Sequence, residues 1–460
     1  MRNTRSRSFL VLLLTLAFFA GLIYHSVNLV IHSAEWASNP RNAHLSDHEG
    51  LEFAGTVYDR NGVVLAESVD KKRVYNSDEE IRKACVHLVG DDSTNISTAV
   101  QTIYRSELTD YSFIYGLGAP DSMKAGRDIT LTIDSELQKT ALRALGTNKG
   151  AMVFYNYKTG EILCMVSAPA YDPANIPEDI ETNADYEGAY LNRALSSSYA
   201  PGSTFKLVTA AAALEVFPDA ESFTYNCTGS EEIGGKTVTC YEPSGEVDFK
   251  NALAESCNIF FGHLAIYLGK DNMTRYAEKA GFNKYRIIDG AQTARSIYDV
   301  SQAGENDLAW SGVGQYTVLE TPINMAVISA AIANGGTPVK PYFIKQMQGI
   351  FGSDGKKGST ELDGPMMSKE TADKIADMMD YTVATNYGKD YVCSSLDVCA
   401  KTGTAEVGDG LAHAWITGFC KDEACPLAFA VIVEYGNSGY GVAIPAASQV
   451  LYKAAELYKK

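Results

Sequence analysis

The chain has no C-x-x-C pair and no H-E-x-x-H string, so the short patterns that most often announce a zinc site are missing and no metal is expected. It also lacks any block of lysine or arginine. Its 39 basic residues are outnumbered by 56 acidic ones, and the formal net charge of −17 is spread along the whole length. Nucleic acid is excluded as an expected partner, because neutralising a phosphate backbone needs a basic face. Internal repeats are absent as well. What is present is apolar content of 46%, rich in Tyr, Phe and Gly, over 460 residues. That supplies a large buried core and fits an anchor plus two folded regions.

The first 31 residues differ in kind from the rest. Arg2, Arg5 and Arg7 precede an apolar stretch from Phe9 to Ile31, interrupted between Phe9 and Ile23 only by Thr15 and Gly21. At 1.5 Å per residue such a helix reaches about 35 Å, enough to cross a hydrocarbon core of about 30 Å. Residues 1–8 therefore read as a cytoplasmic tail and 9–31 as a transmembrane anchor, with the remainder outside the plasma membrane, because arginines mark the cytoplasmic side. A cleaved signal peptide would share the arginines and the apolar run. The segment His32-Ser33-Ala34-Glu35-Trp36-Ala37 puts Trp36 where a small residue is wanted, so an uncleaved anchor is expected.

Nine cysteines in an extracytoplasmic chain permit disulfides. Cys227 with Cys240, Cys393 with Cys399 and Cys420 with Cys425 form three local pairings, leaving Cys85, Cys164 and Cys257 single. The alternative is that several stay reduced as small buried hydrophobes.

Residues 32–127 read as a small N-terminal region, in which Gly55 to Ala66 is strand, Asn-Gly turn, strand. The main domain occupies 128–460. Asp128 to Ile133 alternates as a strand, and Asp134 caps a helix through Leu137, Ala141 and Leu145. Gly150 to Asn156 and Glu161 to Ser167 form a hairpin around the turn Lys158-Thr159-Gly160. Leu207 to Leu214 is a buried helix opening at or beside Ser203, and Thr321 caps another that starts at Pro322 and stops at Asn334-Gly335-Gly336. Lys401 to Glu406, His413 to Cys420 and Leu427 to Tyr435 are successive antiparallel strands, and a helix follows Pro445. The class is α+β, with helices packed on an antiparallel sheet.

Three strings carry chemistry. In Ser203-Thr204-Phe205-Lys206, the serine needs a base, and Lys206 lies three residues on, on the same helical face. Burial and a second cation, for which Lys401 is the candidate, lower a lysine pKa toward the working range. In Ser256-Cys257-Asn258, Ser256 can pass a proton and Asn258 can hold an amide. In Lys401-Thr402-Gly403-Thr404, Gly403 lets a substrate backbone lie close, Thr402 and Thr404 offer hydroxyls to a carboxylate, and Lys401 adds charge. Each string alone is weak. The second is as easily a helix cap or a turn, and Lys158-Thr159-Gly160 duplicates the third within the same chain.

Their order, joined to Tyr58-Asp59-Arg60-Asn61-Gly62, Pro169-Ala170-Tyr171-Asp172-Pro173, Asn192-Arg193-Ala194, Tyr199-Ala200-Pro201-Gly202 and His413-Ala414-Trp415, makes the chain resemble the class B penicillin-binding proteins. These are peptidoglycan D,D-transpeptidases; the likeness is to the PbpA/FtsI-like kind and runs from about Thr56 to the C-terminus. The resemblance implies the penicillin-binding protein transpeptidase fold, an antiparallel sheet with helices on both sides, beside a small N-terminal pedestal. It implies that Ser203 attacks the penultimate D-Ala carbonyl of a stem peptide, with Lys206 as general base and Ser256 as proton shuttle. It further implies an oxyanion hole from the backbone N–H groups of Ser203 and Thr404, and substrate binding by Asn258, Lys401, Thr402, Gly403 and Thr404. β-Lactams would acylate Ser203, and no cofactor or metal is implied. No glycosyltransferase region fits before residue 127, so glycan polymerisation is expected from a partner, by resemblance a membrane glycosyltransferase of the SEDS class. Two departures stand out: Gly314-Gln315-Tyr316 where the family often has Gly-Gln-Gly, and an N-terminal region short for the class.

Two other readings compete. A class A β-lactamase places a deacylating glutamate downstream of the lysine string, whereas the nearest look-alike here, Glu187 to Asn192, lies upstream with the wrong spacing. A non-catalytic β-lactam sensor or scaffold has less reason to retain all three strings.

Overall fold

The structure, a computed structural model, describes residues 2–31, 51, 53–109, 126–349, 355–408 and 410–459. The segment 32–37, which bears on whether the anchor is cleaved, lies outside them. Helix α1 (Arg2–Ile31) contains a stretch, Arg7–Asn28, of mean hydropathy 2.1 with no part buried. By length and composition it fits a single membrane span.

The central sheet has five strands: β1 (Gly150–Asn156), β2 (Ile162–Ala168), β3 (Val398–Gly408), β4 (Leu411–Cys420) and β5 (Leu427–Val433). Their spatial order is β3-β4-β5-β1-β2, antiparallel throughout. One row of partners runs Gly403, Trp415, Ile432, Ala151, Ser167. Alternation along each strand divides the core in two. Val153, Tyr155, Trp415, Ala430 and Ile432 face one cluster; Met152, Phe154, Ile416, Phe429 and Val431 face the other.

Helices cover both faces, as the resemblance implied. The second face carries α2 (Ser135–Leu145) and, from the C-terminal end, a helix over Ile444–Tyr458. The latter presents Ala447, Val450, Leu451 and Ala454, the stripe expected after Pro445. The first face carries α3 (Lys206–Val216), α4 (Asn258–Lys279) and α5 (Pro322–Ala333). Helix α5 is apolar apart from Asn324 and Ser329 and is buried from Pro322 to Ile332. Thr321 caps it as expected, its side chain accepting from the Asn324 N–H.

A second sheet joins the N-terminal region to the rest. Its order is Ile344–Met347, Ile129–Leu131, Val57–Tyr58, Val64–Val69, Lys72–Tyr75. The boundary expected near residue 127 thus falls between hydrogen-bonded neighbours, Val57–Tyr58 running parallel to Ile129–Leu131. Asp59 explains the string around it. This fully buried carboxylate accepts from the Asn61 and Val63 N–H groups at 2.8 Å each and, through its other oxygen, from the Ser135 hydroxyl at 2.8 Å. It shapes the Asn-Gly turn and ties that turn to the start of α2, where Asp134 is the cap.

All nine cysteines are free, so the three local disulfides are not formed. For Cys393 and Cys399 the reason is the sheet itself, since they belong to cores on opposite faces. Cys420 and Cys425 share one core as buried thiols, and Cys227 and Cys240 are treated below.

Replacing Asp59 by Ala strips four donors, the Asn61, Val63 and Ser135 N–H groups and the Ser135 hydroxyl, of their buried acceptor. Asp59→Ala is expected to lower unfolding free energy by about 3 kcal/mol, read from the urea midpoint at unchanged m-value; a loss under 1 kcal/mol would contradict the tie.

Candidate active site

Ser203 lies in a 3-10 turn, Gly202–Phe205, that leads directly into α3. Contacts on every side fix that turn. The Trp415 indole donates to the Ala200 carbonyl at 2.9 Å, and the Thr204 hydroxyl donates to the Pro201 carbonyl at 2.9 Å. The Phe205 ring stacks on Tyr298 and meets Phe282 edge-on. Upstream, Glu434 accepts from both the Tyr199 hydroxyl at 2.7 Å and the Arg193 guanidinium at 2.8 Å. That network gives Arg193, in the string Asn192-Arg193-Ala194, a structural role.

Two glycines let backbones meet here. Gly202 has φ of +54°, and a Cβ on it would lie 2.6 Å from the Thr404 carbonyl oxygen. A Cβ on Gly403 would lie 2.6 Å from the Pro201 carbonyl oxygen. Gly403 was expected to admit a substrate backbone; in the structure it admits the serine-bearing turn. It brings Ser203 against β3.

Lys206 and Lys401 are both fully buried. Lys206 donates to the Ser256 carbonyl at 2.5 Å, the Ser256 hydroxyl at 3.1 Å and Asn258 Oδ1 at 2.8 Å. Its Nζ also stands 5.6 Å from the Phe261 ring centre. Lys401 donates to the same Ser256 hydroxyl at 3.0 Å and to the Thr402 carbonyl at 3.0 Å. One hydroxyl therefore bridges two amines. Burial pushes Lys206 down to about 8, against an opposing effect of the nearby Cys257, Cys240 and Cys227 sulfurs. Burial, with Lys206 as second cation, holds Lys401 well below the usual lysine range. The charge effect thus runs from Lys206 to Lys401, whereas Lys206 itself is lowered by burial and not, as the sequence suggests, by Lys401.

Ser256 sits at φ of +56°, in the left-handed region, between the helix Phe249–Ala254 and α4. The turn-and-cap reading of this string is correct as far as it goes: Cys257 caps α4 by accepting from the Phe260 N–H. The turn also delivers Ser256 to both lysines. Asn258 is committed on two sides, accepting from Lys206 and donating to the Thr239 carbonyl at 2.7 Å.

On β3, Thr402 is tied to Tyr387, whose hydroxyl accepts from the Thr402 N–H at 2.9 Å and pairs with Thr402 Oγ1 at 2.8 Å. Thr404 is exposed, its Oγ1 accepting from the Gly439 N–H at 3.3 Å. Tyr387 went unseen in the sequence, where no local pattern marks it. The other Lys-Thr-Gly, at 158–160, is the β1–β2 turn, with Asn156 accepting from the Lys158 and Thr159 N–H groups. In the Gly314-Gln315-Tyr316 departure, Tyr316 keeps a left-handed backbone, φ of +64°, and stands exposed. Gln315, oriented to satisfy both groups, pairs with the backbone N–H and C=O of Glu406.

A partly exposed serine at the head of a helix whose first lysine is buried, in one fold with a second buried lysine on the neighbouring strand, is the arrangement of the penicillin-recognising serine enzymes. The profile described as "Penicillin binding protein transpeptidase domain" matches residues 150–453, and the chain belongs to that family. Among curated relatives, the peptidoglycan D,D-transpeptidase PbpA of Mycolicibacterium smegmatis (strain ATCC 700084 / mc(2)155) is 30% identical over 349 residues, covering 68% of each chain. Among solved structures, the D,D-transpeptidase domain of a peptidoglycan glycosyltransferase from Eggerthella lenta superposes with TM-score 0.77 at 31% identity, covering 88% of this chain and 98% of that one. Penicillin-binding protein A from M. tuberculosis, as its ceftriaxone acyl-enzyme, gives TM-score 0.78 at 26% identity, covering 88% and 99%.

Gly202→Ala forces a Cβ into the Thr404 carbonyl from a left-handed backbone. Acylation by a fluorescent penicillin is expected to slow at least tenfold, about 1.4 kcal/mol in the barrier; wild-type kinetics would show that the close contact does not position Ser203.

Proposed function

We propose that this chain is a serine-type peptidoglycan D,D-transpeptidase whose nucleophile is Ser203, with Lys206 as general base and Ser256 as proton shuttle. The observation that carries the assignment of roles is the Ser256 hydroxyl held between two buried amines. In its neutral form Lys206 takes the Ser203 proton as the oxygen attacks the penultimate D-Ala carbonyl of a stem peptide. The oxyanion forms against the Ser203 and Thr404 N–H groups. As the C–N bond breaks, the proton passes from Lys206 through Ser256 to the departing amine of the terminal D-Ala. The acyl group remains as an ester on Ser203. A neighbouring stem-peptide amine then attacks the ester, forms the crosslinking amide and returns a proton to Ser203.

Substrate is placed by the remaining residues of the three strings. Thr404, exposed at the strand edge, has its hydroxyl proton available for the substrate carboxylate while its oxygen accepts from the Gly439 N–H, and Lys401, when protonated, supplies positive charge. Thr402, bound to Tyr387, and Asn258, bound to Lys206, act on substrate through positions already fixed by those partners. Gly403 contributes the close approach of β3. A β-lactam opens on Ser203 in the same way, but its amine stays tethered to the acyl group. The acyl-enzyme structures of penicillin-binding protein A from M. tuberculosis support that reading.

Topology follows the anchor: residues 1–8 in the cytoplasm, 9–31 across the plasma membrane, 32–127 as pedestal and 128–460 as the extracytoplasmic transpeptidase domain. Glycan polymerisation then falls to a membrane glycosyltransferase partner of the SEDS class, met through the span and the pedestal.

The test uses the full chain in detergent with a stem pentapeptide donor and a labelled amine acceptor. Wild type is expected to release D-Ala and form the crosslinked product, and Ser203→Ala to form none; crosslinking retained in that variant refutes the nucleophile. Lys206→Ala is expected to slow acylation by at least a hundredfold, the usual worth of a general base, with the melting temperature showing that the fold persists. Normal acylation there would mean another base operates.

A further inference from the structure

We propose that Cys227, Cys240 and Cys257 form a three-thiolate site for a divalent cation of the zinc class, and that the bound ion clamps the turn carrying Ser256 and Asn258. The spacing of these cysteines, 13 and 17 residues from Cys240, matches no short metal motif, which is why their sequence pointed elsewhere. The fold converges them. Their sulfurs all lie within 4.8 Å of one another, with Cys227 to Cys240 at 3.6 Å and Cys240 to Cys257 at 3.7 Å. Tetrahedral zinc with Zn–S bonds of about 2.3 Å sets sulfurs about 3.8 Å apart, so an ion needs little rearrangement.

The sulfurs are held by backbone that is itself fixed. Cys227 ends the strand Thr224–Cys227 and is paired to Gly245. Cys240 follows the strand Lys236–Thr239, its N–H donating to the Gly229 carbonyl at 2.8 Å. Cys257 donates its N–H to the Ala252 carbonyl at 2.9 Å. Two of the three sulfurs already accept backbone donors: Cys240 from the Asn258 N–H at 3.1 Å and Cys257 from the Phe260 N–H at 3.4 Å. Such N–H···S contacts are the outer support that thiolate ligands have in metal sites. Cys227 and Cys257 are buried and Cys240 half-buried, and three thiolates leave a fourth position for water. Among the described residues no other trio of His, Cys, Asp or Glu side chains converges in this way.

A disulfide would join two of these sulfurs and strand the third. A metal engages all three, which suits the position of Cys240 between the other two. The consequence falls on the catalytic turn, because Cys257 stands between Ser256 and Asn258 and Cys240 is hydrogen-bonded to Asn258. An ion would tie Cys227 and Cys240, which flank the hairpin of Ser230–Ile233 and Lys236–Thr239, to the left-handed Ser256 turn and limit its motion.

The experiment measures metal content of the full chain purified in detergent without chelator, by plasma mass spectrometry. About one zinc per chain is expected, falling below a tenth in Cys227→Ser and in Cys257→Ser, and cobalt exchange is expected to give the intense thiolate-to-cobalt charge-transfer absorption. Three thiols that titrate freely with no stoichiometric metal overturn the site, as does a disulfide within the trio in non-reducing peptide maps. Stripping wild type with a zinc chelator is expected to slow penicillin acylation several-fold, reversed by added zinc; unchanged acylation after complete stripping overturns the clamp. Circular dichroism of stripped wild type reports folding without any substitution. Metal content reads this inference alone, whereas Ser203→Ala reads the transpeptidase assignment alone, so the two fail separately.

Discussion

Everything at this site depends on one hydroxyl shared by two buried amines. Taking an ammonium out of water costs several kcal/mol even after relaxation, and the chain does it twice, at Lys206 and Lys401. The Ser256 carbonyl and hydroxyl, Asn258 Oδ1 and the Thr402 carbonyl offset that cost by accepting the protons. The residue from which two of these acceptors come is held at a left-handed φ. Dryness depresses both lysines, and at Lys401 the like charge of Lys206 adds to it.

Bringing three separate elements to one point sets the demands on the fold. Helix α3 supplies Lys206, the turn before α4 supplies Ser256, and β3 supplies Lys401. Glycines at 202 and 403 remove the side chains that would keep the helix start and the strand apart. Trp415, on the neighbouring strand and in register with Gly403, holds the approach to Ser203 through the Ala200 carbonyl. The N-terminal region participates in this rigidity, since its strands share a sheet with Ile129–Leu131 and Asp59 is bonded to the first residue of α2.

Much of this was legible in the residues. Caps at Asp134 and Thr321, the hairpin around 158–160 and the strands of the C-terminal half each rest on local patterns, and each is found where those patterns place it. The three strings came together as their order promised. Less legible was whatever depends on distant pairing. Tyr387 reaches Thr402 from an irregular turn, Gly403 faces the serine-bearing turn instead of open space, and the cysteines group by sheet face and hairpin geometry, not by closeness in sequence. No periodicity reports which two backbones will touch.

The measurement closest to the central claim is the pH dependence of penicillin acylation of the full chain, followed as the rate of covalent labelling over pH 6 to 10. A protonated Lys206 cannot take the Ser203 proton, so the rate is expected to fall as pH drops below the Lys206 pKa and to level off above it, with a midpoint near 8. A midpoint in the ordinary lysine range, or a rate flat across the interval, would contradict a dry lysine as the base.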